Sequence, residues 1–329
     1  MLDASEALRD RCVAGLREAL GPFCRNQQAN RLAYDTTWGG LLPLKGLGSG
    51  AEGEEEADEL ADFGGSFYND HHYHWSYLIH AAAVVAKFDP AWGDANEEWV
   101  DLLLRDVIGP SMEDEFFPRS RSFDWFSGHC WSRGLFPSPE GKDVESLSEE
   151  AHLHYGVYLW GAARHRPGLM RLGSLMFSLL CRSARCYFFM EDGISHRVGL
   201  AAEVVRRRVP GILFEGDVAY KTWFGANLEY IHGIQMLPVS PALELLRSEA
   251  FARAEWVLLE GLVQGLCECG SGWASVLLTS LAAFRPGRAY RLLKEAPMDD
   301  GLARAWALYW AATRPTWVHM PAGTLSAGV

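Results

Sequence analysis

The sequence predicts an all-α fold, an (α/α)6 toroid of helical hairpins with long aromatic loops gathered at one mouth; a plain helical bundle is the alternative. Three observations predict it. Apolar residues recur at three- and four-residue steps along most of the chain. The stretches between them are rich in Gly, Trp, Phe and His, a composition more typical of ordered functional loops than of linkers. No composition break divides the 329 residues, which suffice for one large core.

The periodicity places helices over residues 4–20, 75–87, 96–107, 148–164, 167–189, 241–247, 250–267, 272–284, 286–294 and 301–313. Asp3, Asp94, Ser240 and Asp300 stand where helix starts are expected. Aromatic-rich connections cover 33–50, 117–143 and 209–230. The acidic run 48–62, GSGAEGEEEADELAD, reads as a solvated, mobile loop.

Composition excludes several classes. A net charge of -12 is unsuited to neutralising nucleic-acid phosphates, and the run Arg206-Arg207-Arg208 is short enough to be a solvated helix end. No apolar run reaches membrane-spanning length, and MLDASEALRDRC is a polar helix start unlike a signal peptide. The seven cysteines, Cys12, Cys24, Cys130, Cys181, Cys186, Cys267 and Cys269, lack zinc-ribbon spacing and read as free buried thiols. Thirteen tryptophans suit a long groove for a ligand with flat apolar faces, such as a sugar chain, although singly most would serve the core equally well.

Two clusters carry chemistry. In FYNDHHYHWSY (67–77), Asp70 and His74 fall one turn apart on one helix face. Asp70 could cap that helix, ligate a metal with His71, His72 and His74, or act as a general acid. The metal reading is the weaker: adjacent His71 and His72 diverge by about 100° on a helix, and further ligands would have to come from His129 or His232. The acid reading needs an apolar wall, which Phe67, Tyr68, Tyr73 and Trp75 could supply. In GKDVESLSEEAHLHYG, Glu145 and Glu149 are four apart at a predicted helix start, with Ser146 and Ser148 as capping oxygens and Glu150 beside them. An acid on one element and paired carboxylates on another are what glycosidic cleavage requires.

The segments DTTWGG, DFGGSFYNDHHYHWSY, FDWFSGHCWSRGLF, GKDVESLSEEAHLHYG and TWFGANLEYIHGIQMLP, in that order, resemble the landmarks of glycoside hydrolase family 81. The resemblance implies an endo-β-1,3-glucanase that cleaves laminarin-type glucan with inversion. It implies Asp70 as the acid, Glu145 as the base with Glu149 its close alternate, and His74 as the residue orienting the acid. Trp38, Tyr68, Trp125, His129, Trp131, Trp223, Glu229, Tyr230 and His232 would line the groove. No metal or cofactor is expected; the partner is the glucan and the chain is expected to be a monomer. An extracellular setting is implied, while the lack of a signal peptide leaves a cytoplasmic one open.

Departures from the pattern are Tyr73-His74-Trp75-Ser76, His152 and His154 after the second glutamate, and Leu228 for a usual proline. The family's β-sandwich is absent, so residues 1–329 are expected to form a single catalytic domain, with a toroid incomplete at its N-terminus. That truncation motivates a second reading, a β-glucan-binding protein with little or no turnover.

Overall fold

The computed structural model describes residues 2–48, 57–193 and 201–315. The described chain is mainly helical and forms two compact units, one of Met1–Val144, Glu149–Leu180 and Phe214–Gly216, the other of Glu145–Ser148, Cys181–Leu213 and Asp217–Val329.

In the first unit, α1 (Leu2–Cys24) leads into a hairpin of β1 (Leu32–Asp35) and β2 (Gly40–Pro43), paired antiparallel with Leu32 opposite Pro43. A 3-10 segment, Ala61–Phe67, precedes α2 (His71–Phe88). The short α3 (Pro90–Ala95) starts at Asp89, whose carboxylate accepts the Trp92 N–H, with Pro90 at its first position. Next, α4 (Glu97–Val107) carries acids in its first turn and Arg105 in its last, matching the helix dipole. A two-residue pair follows, β3 (Phe123–Asp124) with β4 (His129–Cys130), and then β5 (Asp143–Val144). Helices α5 (Leu147–Ala163) and α6 (Pro167–Ser183) lie mostly in this unit, and a π-type turn of the second unit, Ala184–Phe188, ends the predicted 167–189 helix early. One core joins them: Ile79 and Val85 of α2, Leu103 and Val107 of α4, Leu153 and Trp160 of α5, and Met176 of α6. Each such buried side chain contributes about 1.5–3 kcal/mol.

The second unit holds α7 (Ala202–Arg206), the antiparallel pair β6 (Ile212–Phe214) and β7 (Val218–Ala219), α8 (Leu228–Gly233) and α9 (Ala242–Leu246). Ser248 caps α10 (Glu249–Cys269) by accepting the Phe251 N–H at 3.0 Å, and Gly270, at φ 79°, closes it in a conformation that suits glycine. α11 (Trp273–Leu281) is buried along nearly its whole length and packs against α8, α10, α12 (Pro286–Glu295) and α13 (Arg304–Ala312).

Differences from expectation are local. All three aromatic connections contain short strands. Asp3 and Asp94 lie inside helices, and the caps before α9 and α13 are Pro241 and Ala303, not Ser240 and Asp300. Of the seven free cysteines only Cys130 is buried, because the others sit on outward or marginal helix faces. Residues 49–56 of the predicted acidic loop lie outside the described residues.

Candidate active site

Asp70 occupies the N-cap of α2, yet its side chain makes no capping hydrogen bond. Its backbone is left-handed, φ 58°, and so is that of Tyr68, φ 66°. Asp tolerates that region; Tyr is uncommon there and must be held. The 132–135 segment holds both. Asp70 N–H donates to Ser132 O at 3.0 Å, Leu135 N–H to Phe67 O at 2.8 Å, and Gly134 N–H to Asn69 Oδ1 at 2.6 Å. A Cβ on Gly134 would stand 1.9 Å from Phe67 O and 2.6 Å from the Tyr68 carbonyl carbon. Gly134→Ala is therefore expected to cost about 1–3 kcal/mol in urea unfolding and to speed exchange of the Asp70 amide. Unchanged unfolding and exchange would show that this segment does not hold Asp70.

The histidines around Asp70 divide into separate tasks. His71 is fully engaged: Nδ1 lies 2.6 Å from Asp106 Oδ2 and Nε2 2.7 Å from Gly65 O, leaving no nitrogen for a metal. Trp75 Nε1–H and Leu41 N–H also donate to Asp106, at 2.8 and 3.0 Å. Burial, then the charge of His71, lowers His74 to about 4, and burial holds His72 far below the ordinary histidine range. Both are neutral at pH 7, so neither supplies the positive charge that would favour a carboxylate beside it.

The second cluster departs from the expected helix geometry. Because α5 begins at Leu147, Glu145 precedes the helix and the (i, i+4) argument does not apply to it. Ser146 and Ser148 bond within the second unit. Their hydroxyls donate to Ile234 O at 3.3 and 2.8 Å, and Gln235 bonds both Glu145 O and Leu147 N–H. In the second unit, Glu145 Oε1 accepts the Trp223 N–H at 2.8 Å. In the first unit, Glu149 Oε1 accepts the Tyr77 hydroxyl at 2.8 Å. Burial, then the Glu149 charge, pushes the Tyr77 hydroxyl far up, so it remains a donor. Each glutamate thus has one oxygen anchored by a residue carrying an exposed aromatic ring.

The residues expected along a groove divide by exposure. Trp38 is 55% exposed at the β1–β2 turn, where Asp35 accepts its N–H; Trp125 is 44% exposed and Trp223 55% exposed. Tyr230 lies tilted beside Phe224 and Trp273, ring centroids 5.3 Å apart in each case, and Glu229 accepts from Asn227 at 2.9 Å. Tyr68, His129, Trp131 and His232 are buried instead. Tyr68 donates to Asp35 under the Arg121 guanidinium, and His129 Nδ1 donates to Cys130 O. Trp131 donates to Asp124; although burial opposes it, bonds from Trp131 and Ser127 hold Asp124 down at about 2. His232 pairs with Glu255 at 2.8 Å, and Glu255 with Arg247. The structure buries these four side chains and engages their polar atoms within the protein. Sequence reasoning missed Asp106, Gly134 and Tyr77, each a single residue whose partner is distant in the chain.

Residues 1–308 match the Glycosyl hydrolase family 81 C-terminal domain. The chain is 36% identical, over 93% of its length, to a Schizosaccharomyces pombe primary septum glucan endo-1,3-beta-D-glucosidase. It is 38% identical, over 90% of its length, to a glucan endo-1,3-beta-D-glucosidase of Arthroderma benhamiae. It spans only 30% and 32% of those two relatives' own lengths. A family 81 glycoside hydrolase from Clostridium thermocellum shares the fold, with a TM-score of 0.75 and 22% identity over 94% of this chain and 41% of that one. A match over nearly the whole chain, together with these relatives, decides its membership: the chain belongs to glycosyl hydrolase family 81, within that family's C-terminal domain.

Proposed function

We propose that this chain hydrolyses internal β-1,3-glucan linkages with inversion, acting as a monomer on glucan outside the cell. The observation that carries the proposal is the carboxyl of Asp70. It stands at a helix start without capping that helix, beside histidines that are neutral at pH 7. In this reading Asp70 donates its proton to the glycosidic oxygen as the C1–O bond breaks. Water attacks C1 from the opposite face and gives its proton to Glu145, with Glu149 positioning the water or serving as the alternate base. His74 orients Asp70, and Trp38, Trp125, Trp223 and Tyr230 offer rings to the sugar faces. The relatives' names, endo-1,3-beta-D-glucosidases, support the linkage.

Incubation with laminarin followed by product analysis tests this directly, and short oligosaccharides are expected. Tight binding with no products would favour the glucan-binding alternative. The stereochemistry has its own readout. Proton NMR in the first minutes should show α-anomeric ends from the β-linked chain. β-Anomers appearing first would mean retention and would remove Glu145 as a base.

A further inference from the structure

We propose that Cys130, Glu150 and His154 form a buried binding site for a thiolate-preferring divalent metal ion of the zinc class, separate from the carboxylates assigned to hydrolysis. Cys130 ends β4, and Glu150 and His154 lie one turn apart on α5, so the two elements bring a sulfur, a carboxylate and an imidazole together. One ligand atom from each lies within 4.8 Å of the others. A tetrahedral zinc ion, with Zn–S about 2.3 Å and Zn–N or Zn–O about 2.0–2.2 Å, requires ligand atoms about 3–4 Å apart. The 3.0 Å separation of His154 Nε2 from Glu150 Oε1 fits at the short end.

A second observation points the same way. Cys130, Glu150 and His154 are all 0% exposed, yet Glu150 Oε2 and His154 Nδ1 have no hydrogen-bond partner. Buried polar atoms without partners cost about 1–3 kcal/mol each; an ion held by the Glu150 carboxylate offsets that cost at Oε2, whereas His154, bound through Nε2, keeps Nδ1 without a partner. His72, on α2, also has a buried Nε2 without a hydrogen-bond partner, but it is not among the residues whose ligand atoms lie within 4.8 Å of one another.

The charges balance. A thiolate, a carboxylate and a neutral imidazole together carry the two negative charges that a divalent cation needs in a dry interior. Burial and the neighbouring Glu150 push the Cys130 thiol well up, so in the metal-free protein it holds its proton. Binding forms the metal–sulfur bond and releases that proton to solvent, so affinity rises with pH. The ion enters as the chain folds and ties β4 to α5.

The test is to produce the full-length protein in zinc-limited medium supplemented with cobalt(II). The wild type is expected to carry one cobalt per chain and to show a sulfur-to-cobalt charge-transfer band in the near ultraviolet. That band should be lost in Cys130→Ser and kept in the control Cys267→Ser/Cys269→Ser. His154→Gln, which leaves the thiol in place, should lose or strongly weaken it, so the inference stays testable if Cys130→Ser does not fold. Folded wild type without the band, or a band that survives both Cys130→Ser and His154→Gln, would overturn the site. In either case the cluster would be a hydrogen-bonded triad only.

Discussion

Asp70→Asn should lower kcat on laminarin by about 10²–10⁴-fold, the usual contribution of a general acid, while melting and glucan binding stay near wild type. Asparagine is the right replacement because, like aspartate, it tolerates the left-handed backbone at this position. It preserves shape and removes only the proton that the leaving oxygen needs. An aryl glycoside with a good leaving group, where it is a substrate, should lose far less activity, since that group departs with little protonation. Steady-state kinetics on the two substrates separate the cases. Small, equal losses on both would remove Asp70 as the acid.

Asp106→Ala should be the most damaging single change to stability in the first unit. The carboxylate is completely buried and receives His71, Trp75 and the Leu41 amide, with Arg121 3.7 Å away. Truncation strands all of these partners at once. Removing one member of such a buried charged network costs about 3–5 kcal/mol, a large share of the roughly 5–15 kcal/mol by which a domain is stable. Urea unfolding should show a midpoint shift of that size. A loss below about 1 kcal/mol would mean the network behaves as an exposed ion pair and does not anchor the start of α2.

Helix positions were legible because burial on one face imposes a 3.6-residue rhythm that needs no knowledge of the partner; α2, α4, α10 and α12 follow it closely. The two-residue strands were not, since strands that short carry no alternation to read. The motif residues Asp70 and Glu149 stood out in the sequence as candidates for chemistry, but the residues that hold them did not. Asp106 sits in the last turn of α4 looking like any surface acid, and only the fold turns it inward toward His71. Glu150 illustrates the same limit: beside Glu149 it reads as a first-turn acid, yet it is fully buried against Cys130 and His154. Tyr68, His129, Trp131 and His232 were read as groove-lining, whereas all four are buried, and residue type alone does not tell an exposed polar aromatic from a buried one.

The bond that Glu145 receives at position 223 comes from the main chain, not from the indole. Any residue except proline supplies that N–H, so the carboxylate's anchor is indifferent to which side chain stands there. The exposed ring can therefore be exchanged, enlarged or removed without touching the hydrogen bond beneath it. With Glu145 as the proposed base and Trp223 as a proposed sugar-facing ring, chemistry and recognition would be inherited separately at this position. A lineage, or an engineer, could walk through many side chains at 223 and retune which polymers are gripped, each step leaving the glutamate held as before.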